Sequence, residues 1–178
     1  TARNMKTYEG DVEKINMYFT DPTRLFPDKL CTLERALKDM VSEANHEIIL
    51  VSYSISSFSK DFFLEETIRE RIESGVKLKI FGDNLNEVNK LHSKFKHINS
   101  DNEGWYWADS NEGLFHIKSI IVDKKHSGKL YIGSANLSKN AMKKSAELGI
   151  LTESRELSIR LNNYLNHLKK EGLIKKLS

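Results

Sequence analysis

Apolar residues in this chain follow two rhythms that take turns along it, one stepping by three or four residues and one running as short continuous blocks. Ile15 to Phe19 is the first block and predicts a strand, after which Asp21, Pro22 and Pro27 break the chain. Leu30, Leu33, Leu37, Met40, Val41 and Ala44 then recur at helical spacing, giving a helix with one buried stripe, and Glu47 to Ser54 follows as a strand. Ser59 is placed to cap a second helix carrying Phe63, Leu64, Ile68 and Ile72, with Gly75 as its stop and Val76 to Phe81 as the next strand. A shorter helix over Leu85 to His97 leads into a strand at Trp105 to Ala108. Phe115 to Asp123 and Lys129 to Gly133 read as a hairpin turning at Gly128, Glu147 to Leu151 as a further strand. The last helix shows Leu157, Leu161, Tyr164, Leu165 and Leu168 on one face.

Strands alternating with helices imply an α/β fold, with a mixed, mostly parallel central sheet flanked by helices on both faces. The 178 residues suffice for one well-buried core, so residues 1–178 are read as a single domain, without internal repeat or low-complexity segment. A hydrophobic content of 39% with 30% charged residues fits a soluble globular protein. Runs such as Ile48 to Val51 and Ile120 to Val122 are too short to cross a bilayer, which predicts no membrane association. The expected location is cytoplasmic. Thr1 stands where an initiator Met would, so a removed leader leaves the periplasm open. Cys31, the only cysteine, excludes an internal disulfide and a multi-cysteine zinc site; it reads as a core residue on a helix.

A net charge of +3 says little about partners, but the placing of the lysines says more. Lys118, Lys124, Lys125, Lys129, Lys139, Lys143 and Lys144 crowd one region, as a solvated face or as a surface that tracks phosphates. In the same region His116, Lys118 and Asp123 form H-x-K-x4-D, and Gly133, Ser134 and Asn136 form G-S-x-N. Residues two apart in a strand share a face, so His116 and Lys118 project together while Ile117 turns into the opposite layer. A neutral imidazole can attack phosphorus, and an ammonium beside it can hold a non-bridging oxygen and neutralise developing charge. Ser134 and Asn136 can bond the same oxygens, and Gly133 would let backbone approach them. Two other H-x-K pairs, His92 with Lys94 and His167 with Lys169, fall in predicted helices, where such positions diverge. They also lack the Asp, having Asn99 and Ile174 instead.

With these residues the chain resembles the phospholipase D superfamily, as a member with a single HKD motif, and within it the small bacterial metal-independent endonucleases. The likeness runs from INMYFT through VSYSIS and RIESGVKLKIFGDN to the motif and SAELGIL, and is densest from Val76 to Leu151. The resemblance implies that His116 forms a covalent phosphohistidine and that Lys118 and Asn136 bind phosphate. It also implies that Glu147 orients a histidine and that Asp123 supports the strand end. Such enzymes use two motifs, so the resemblance further implies a C2 homodimer in which two His116 side chains meet, one attacking and the other donating a proton. It implies no cofactor and no divalent metal, the lysines supplying the positive charge. The expected activity is phosphodiester cleavage of nucleic acid, DNA or RNA. The alternatives are a phospholipase or cardiolipin hydrolase, which needs an apolar surface near the site, and a non-catalytic nucleic-acid-binding subunit of a larger multidomain protein or DNA-processing or defence complex.

Several weaker signals surround the motif. Trp105, Tyr106 and Trp107, with Ser110 to Gly113 after them, offer a wall on which a base could stack, or simply core packing. Ser52, Tyr53, Ser54 and Ser56 end a strand before a loop that by resemblance borders the site, with Ser54 as a candidate wall residue. His126 is expected to be solvated in the hairpin turn, while His46 and His97 complement helix ends. The pairs Lys169 with Lys170 and Lys175 with Lys176 could touch nucleic acid, but read preferentially as a soluble tail. The 82–115 segment is long enough to supply a lid.

Overall fold

The structure is a computed structural model that describes residues 14–23, 25, 32–55, 62–108 and 113–178. Its elements run β1 (Ile15–Thr20), α1 (Leu33–Ser42), β2 (Glu47–Ser52), α2 (Glu65–Glu73), β3 (Lys77–Gly82), α3 (Leu85–Ser93) and β4 (Glu103–Trp107). They continue through β5 (Lys118–Val122), β6 (Lys129–Gly133), α4 (Lys139–Lys143), β7 (Glu147–Glu153), α5 (Arg155–Lys170) and β8 (Ile174–Lys176). Thr32, Asn84, Ser138 and Ser154 cap α1, α3, α4 and α5 by accepting first-turn N–H bonds on their side chains. Helix α2 starts at Glu65 behind Leu64 with no side-chain cap, and the Ser59 expected to cap it lies outside the described residues. So do Pro27, Leu30, Cys31, Ser56 and residues 110–112, together with part of the segment expected to supply a lid.

The eight strands form one sheet in the order β1-β7-β6-β5-β2-β3-β4-β8. It is mixed, as expected, but parallel only where α2 and α3 make crossovers, at β2–β3 and β3–β4; every other neighbouring pair is antiparallel. The expectation of a mostly parallel sheet is corrected on this point. It rested on continuous apolar runs, and β5 is indeed buried along its whole length. Burial on both faces reflects helices above and below, which an antiparallel strand can also have. The tail is corrected as well: Ile174 is buried, and β8 adds to the edge of β4.

Alternation along the central strands divides the core into two layers. Ile48, Leu50, Leu78, Ile80, Ile120 and Val122 pack with α1, α2, α3 and α4, while Ile49, Val51, Phe81, Ile121 and Leu130 pack with Leu165 and Leu168 of α5. Among the described residues helices therefore flank both faces, four on one and one on the other. On the α5 side the sheet is exposed along β1, β7 and β6. Met17, Ile150 and Ile132 lie side by side across these strands, with Phe19 beside Leu148; Met17 and Ile132 are about half exposed.

Candidate active site

Strand β5 begins at Lys118, so His116 sits on a lead-in outside the ladder predicted from Phe115 onward, its N–H turned back to the Leu114 carbonyl at 3.1 Å. Two contacts fix that lead-in. The Phe115 N–H donates to Asp83 Oδ1 at 3.0 Å, and the buried Phe115 ring stacks on Trp107 at 6.0 Å. His116 is exposed next to it, while Ile117 packs into the α5 layer as the two-residue period requires.

The Lys118 side chain is buried and carries its ammonium back to the histidine, with Nζ 3.1 Å from both ring nitrogens of His116. Tyr53, just past β2, completes the group. Its ring is tilted against the imidazole at a centroid distance of 4.6 Å and lies 5.4 Å from Lys118 Nζ. Burial lowers the Lys118 pKa from its ordinary value, and the charge of Glu147 opposes that shift.

Asn136 reaches the same end of the sheet on the loop after β6. Its Oδ1 accepts the Ser54 N–H at 3.3 Å, which leaves the amide hydrogens as donors. Ser134 is exposed on the same loop, and its hydroxyl donates to Glu147 and accepts the Leu148 N–H. Gly133 is needed for packing, because a Cβ there would lie 2.5 Å from the Tyr131 hydroxyl and 2.6 Å from the Leu148 carbonyl oxygen. That hydroxyl belongs to a fully buried ring, and burial raises its pKa.

The other candidates separate from this group. Asp123 is buried at the far end of β5, about 16 Å along the strand from Lys118, where its carboxylate accepts the N–H groups of Asn45, His46 and Glu47 at 2.8–2.9 Å. It holds the α1–β2 turn and is structural in this fold. The Trp105 ring stacks on Phe81 and lies 4.0 Å under Lys169 Nζ, so it is engaged in the α5 layer rather than presented as a wall. Trp107 donates its indole N–H to the Gly113 carbonyl beside the motif lead-in. The Ser54 hydroxyl faces Glu87. The lysine-rich region also splits in two: Lys124 pairs with Glu47 and Lys129 with Glu43 at the hairpin-turn end, while Lys139 and Lys143 lie on α4, after the Asn136 loop. His126 stacks on His46 at 3.8 Å at the turn end. The sequence reading missed Asp83 and Glu87, which look locally like the start of α3.

Among the described residues no three His, Cys, Asp or Glu side chains cluster so as to hold a metal ion, and no helix is long and apolar enough to cross a membrane. An imidazole, an ammonium and an amide thus gather at one end of a mixed α/β sheet, an arrangement suited to handling a phosphodiester. The profile of the family described as "Cardiolipin synthase, PLD-like domain" matches residues 37–169, and the chain belongs to this phospholipase D-like family. It is 25% identical over 144 residues to the DISARM protein DrmC of Bacillus paralicheniformis, covering 79% of this chain and 58% of that one. It is 29% identical over 156 residues to a phospholipase D of Rickettsia conorii, covering 86% and 68%. The fold is shared with Nuc, a phospholipase D family member from Salmonella typhimurium, at a TM-score of 0.63 and 18% identity, covering 92% of this chain and 97% of that one.

Proposed function

We propose that the protein is a metal-independent phosphodiesterase that cleaves nucleic acid through a phosphohistidine on His116, with an active site shared across a homodimer. The observation that carries this reading is the contact of an exposed imidazole with a buried ammonium, 3.1 Å apart, against Tyr53, whose neighbour Ser54 holds the Asn136 amide oxygen. A His116 ring nitrogen forms a bond to phosphorus as the bond to the leaving oxygen breaks. Lys118 and Asn136 hold the non-bridging oxygens, where charge grows. The leaving oxygen takes a proton from the second, protonated His116, and water then breaks the P–N bond, returning a proton to that histidine.

Support for the dimer comes from the exposed sheet face. Ile132 and Tyr164, each about half exposed, line a groove that includes His116, and the face continues through Met17 and Leu148. These side chains form one contiguous exposed apolar face, and the largest such patch on a domain is often a functional contact surface. Pairing around a two-fold axis next to His116 would bring in the missing imidazole.

The same face favours the phospholipase reading as an alternative, because Phe19 and Leu148 border Ser134 and Glu147 and could meet a lipid. The resemblance to DrmC also keeps open a role within a larger assembly. One assay separates these readings: single- and double-stranded DNA and RNA, and cardiolipin-containing vesicles, are each incubated with protein in EDTA, beside His116→Ala. Oligonucleotide cleavage that His116→Ala abolishes supports the nuclease. Turnover confined to vesicles, or oligonucleotide binding without turnover, overturns it.

A further inference from the structure

Two carboxylates outside the motif converge on both halves of the site. They come from the single connection that leaves β3. Asp83 Oδ1 accepts the N–H of Phe115, the residue before His116, at 3.0 Å. One turn into α3, Glu87 Oε2 accepts the Ile55 N–H at 2.8 Å, and its other oxygen takes the Ser54 hydroxyl at 3.5 Å. Ser54 is the residue whose N–H holds Asn136 Oδ1, and it follows Tyr53, whose ring touches His116. Ser52 ties the same two loops a second time: its hydroxyl donates to the Ser54 carbonyl at 2.7 Å and accepts the Leu137 N–H at 3.1 Å.

We propose that Asp83 and Glu87 are positioning residues for this site, a clamp that sets the His116 lead-in against the Tyr53–Asn136 loops. The ordinary account of Glu87 is a capping box, in which a Glu three residues after the N-cap returns to the N-cap backbone. Here the N-cap Asn84 accepts the Asn86 and Glu87 N–H groups with its own side chain, while the Glu87 carboxylate leaves the helix for the β2 loop. Space is tight on this path. A Cβ at Gly82 would lie 2.6 Å from Val88 Cγ2 and 3.3 Å from Ile55 Cδ1, so the loop lies directly against the β3 end. Neither carboxylate contacts the imidazole or the ammonium in these bonds. Their effect passes through backbone N–H groups, and misplacing a reacting group by about 1 Å costs roughly 100-fold in rate.

The proposal rests on the phosphodiesterase reading, and its test separates the two. Initial rates on bis(p-nitrophenyl) phosphate are measured for wild type, Asp83→Ala, Glu87→Ala and Glu87→Gln, alongside thermal unfolding and amide hydrogen exchange. The expected result is a kcat loss of roughly 10- to 100-fold in both alanine variants, with KM within about threefold. Glu87→Gln, which keeps an acceptor for the Ile55 N–H, should recover most of the rate. The reporter is the Ser54 N–H, which is bonded to Asn136 and not to Glu87: its exchange should quicken in Glu87→Ala while the β2 amides stay protected. Wild-type kcat in Glu87→Ala overturns the clamp. So does a loss that tracks a lowered melting temperature and is not rescued by Gln. An inactive wild type overturns the phosphodiesterase reading alone, and unchanged Ser54 exchange would then still refute the clamp.

Discussion

Replacing Asp123 separates holding the fold from doing chemistry at opposite ends of one strand. Its carboxylate accepts three backbone N–H groups, from Asn45, His46 and Glu47, and its backbone sits at φ +49° in the left-handed region. A hydrogen bond to a charged acceptor contributes about 1.5–3 kcal/mol, but these three share one acceptor and are not additive. We expect Asp123→Gly, which relieves the backbone while removing the acceptor, to lose about 3 kcal/mol. Asp123→Ala should lose about 1–2 kcal/mol more through the left-handed backbone. For a chain of this length each kcal/mol lowers the melting temperature by roughly 2–4 °C, so Asp123→Gly should melt about 6–12 °C lower. Asp123→Asn keeps one acceptor oxygen and should fall between. Thermal and urea unfolding measure the loss, and activity per folded molecule, assayed well below the transition, should match wild type. A melting temperature within about 2 °C of wild type would refute the hydrogen-bond argument. A large fall in kcat with stability intact would refute the structural role.

Lys118→Met should reduce activity by roughly 100- to 1,000-fold without lowering the melting temperature, because it removes a desolvated charge. Burial lowers the folded-state pKa of Lys118, so the unfolded chain binds more protons between that lowered value and the ordinary 10.5. Wild-type stability should therefore gain a contribution as pH rises through this window, and urea titrations of Lys118→Met should lack it. Gly133→Ala forces a Cβ against the Tyr131 hydroxyl and the Leu148 carbonyl, and should cost about 1–3 kcal/mol in urea unfolding; wild-type stability would show that this close approach is not binding. Ile132→Glu and Met17→Glu should halve the solution mass and cut activity while leaving the melting temperature of the monomer near wild type. An active monomer contradicts the shared site.

The elements carrying His116 and Lys118 were legible because the two-residue period of a strand persists into the lead-in, even where the ladder has not begun. The buried helix stripes were legible too: Leu33, Leu37, Met40 and Val41 pack as their spacing requires. Strand direction was harder to read. A run such as Ile120 to Val122 records burial on both faces and says nothing about which neighbour runs alongside. Strand β8 was missed because it is only three residues long, Ile174 with Lys175 and Lys176, and its pairing with Trp107 spans most of the C-terminal half. The bond from Ser134 to Glu147 was not legible, because Glu147 is brought across by the β6–β7 ladder. Asp83 and Glu87 were invisible for a similar reason: locally they spell a helix start, and their bonds close over long sequence separations.

The central claim is that His116 becomes bonded to phosphorus during turnover. It is tested most directly by quenching the protein in alkaline denaturant after mixing with a 5′-labelled oligonucleotide in EDTA, then locating any adduct by peptide mass spectrometry with the pH kept alkaline throughout, where phosphohistidine survives. The account predicts a transient adduct on the peptide containing His116, formed and lost at rates compatible with turnover and absent from His116→Ala. Steady cleavage with no adduct, and with His116→Ala as active as wild type, would contradict it.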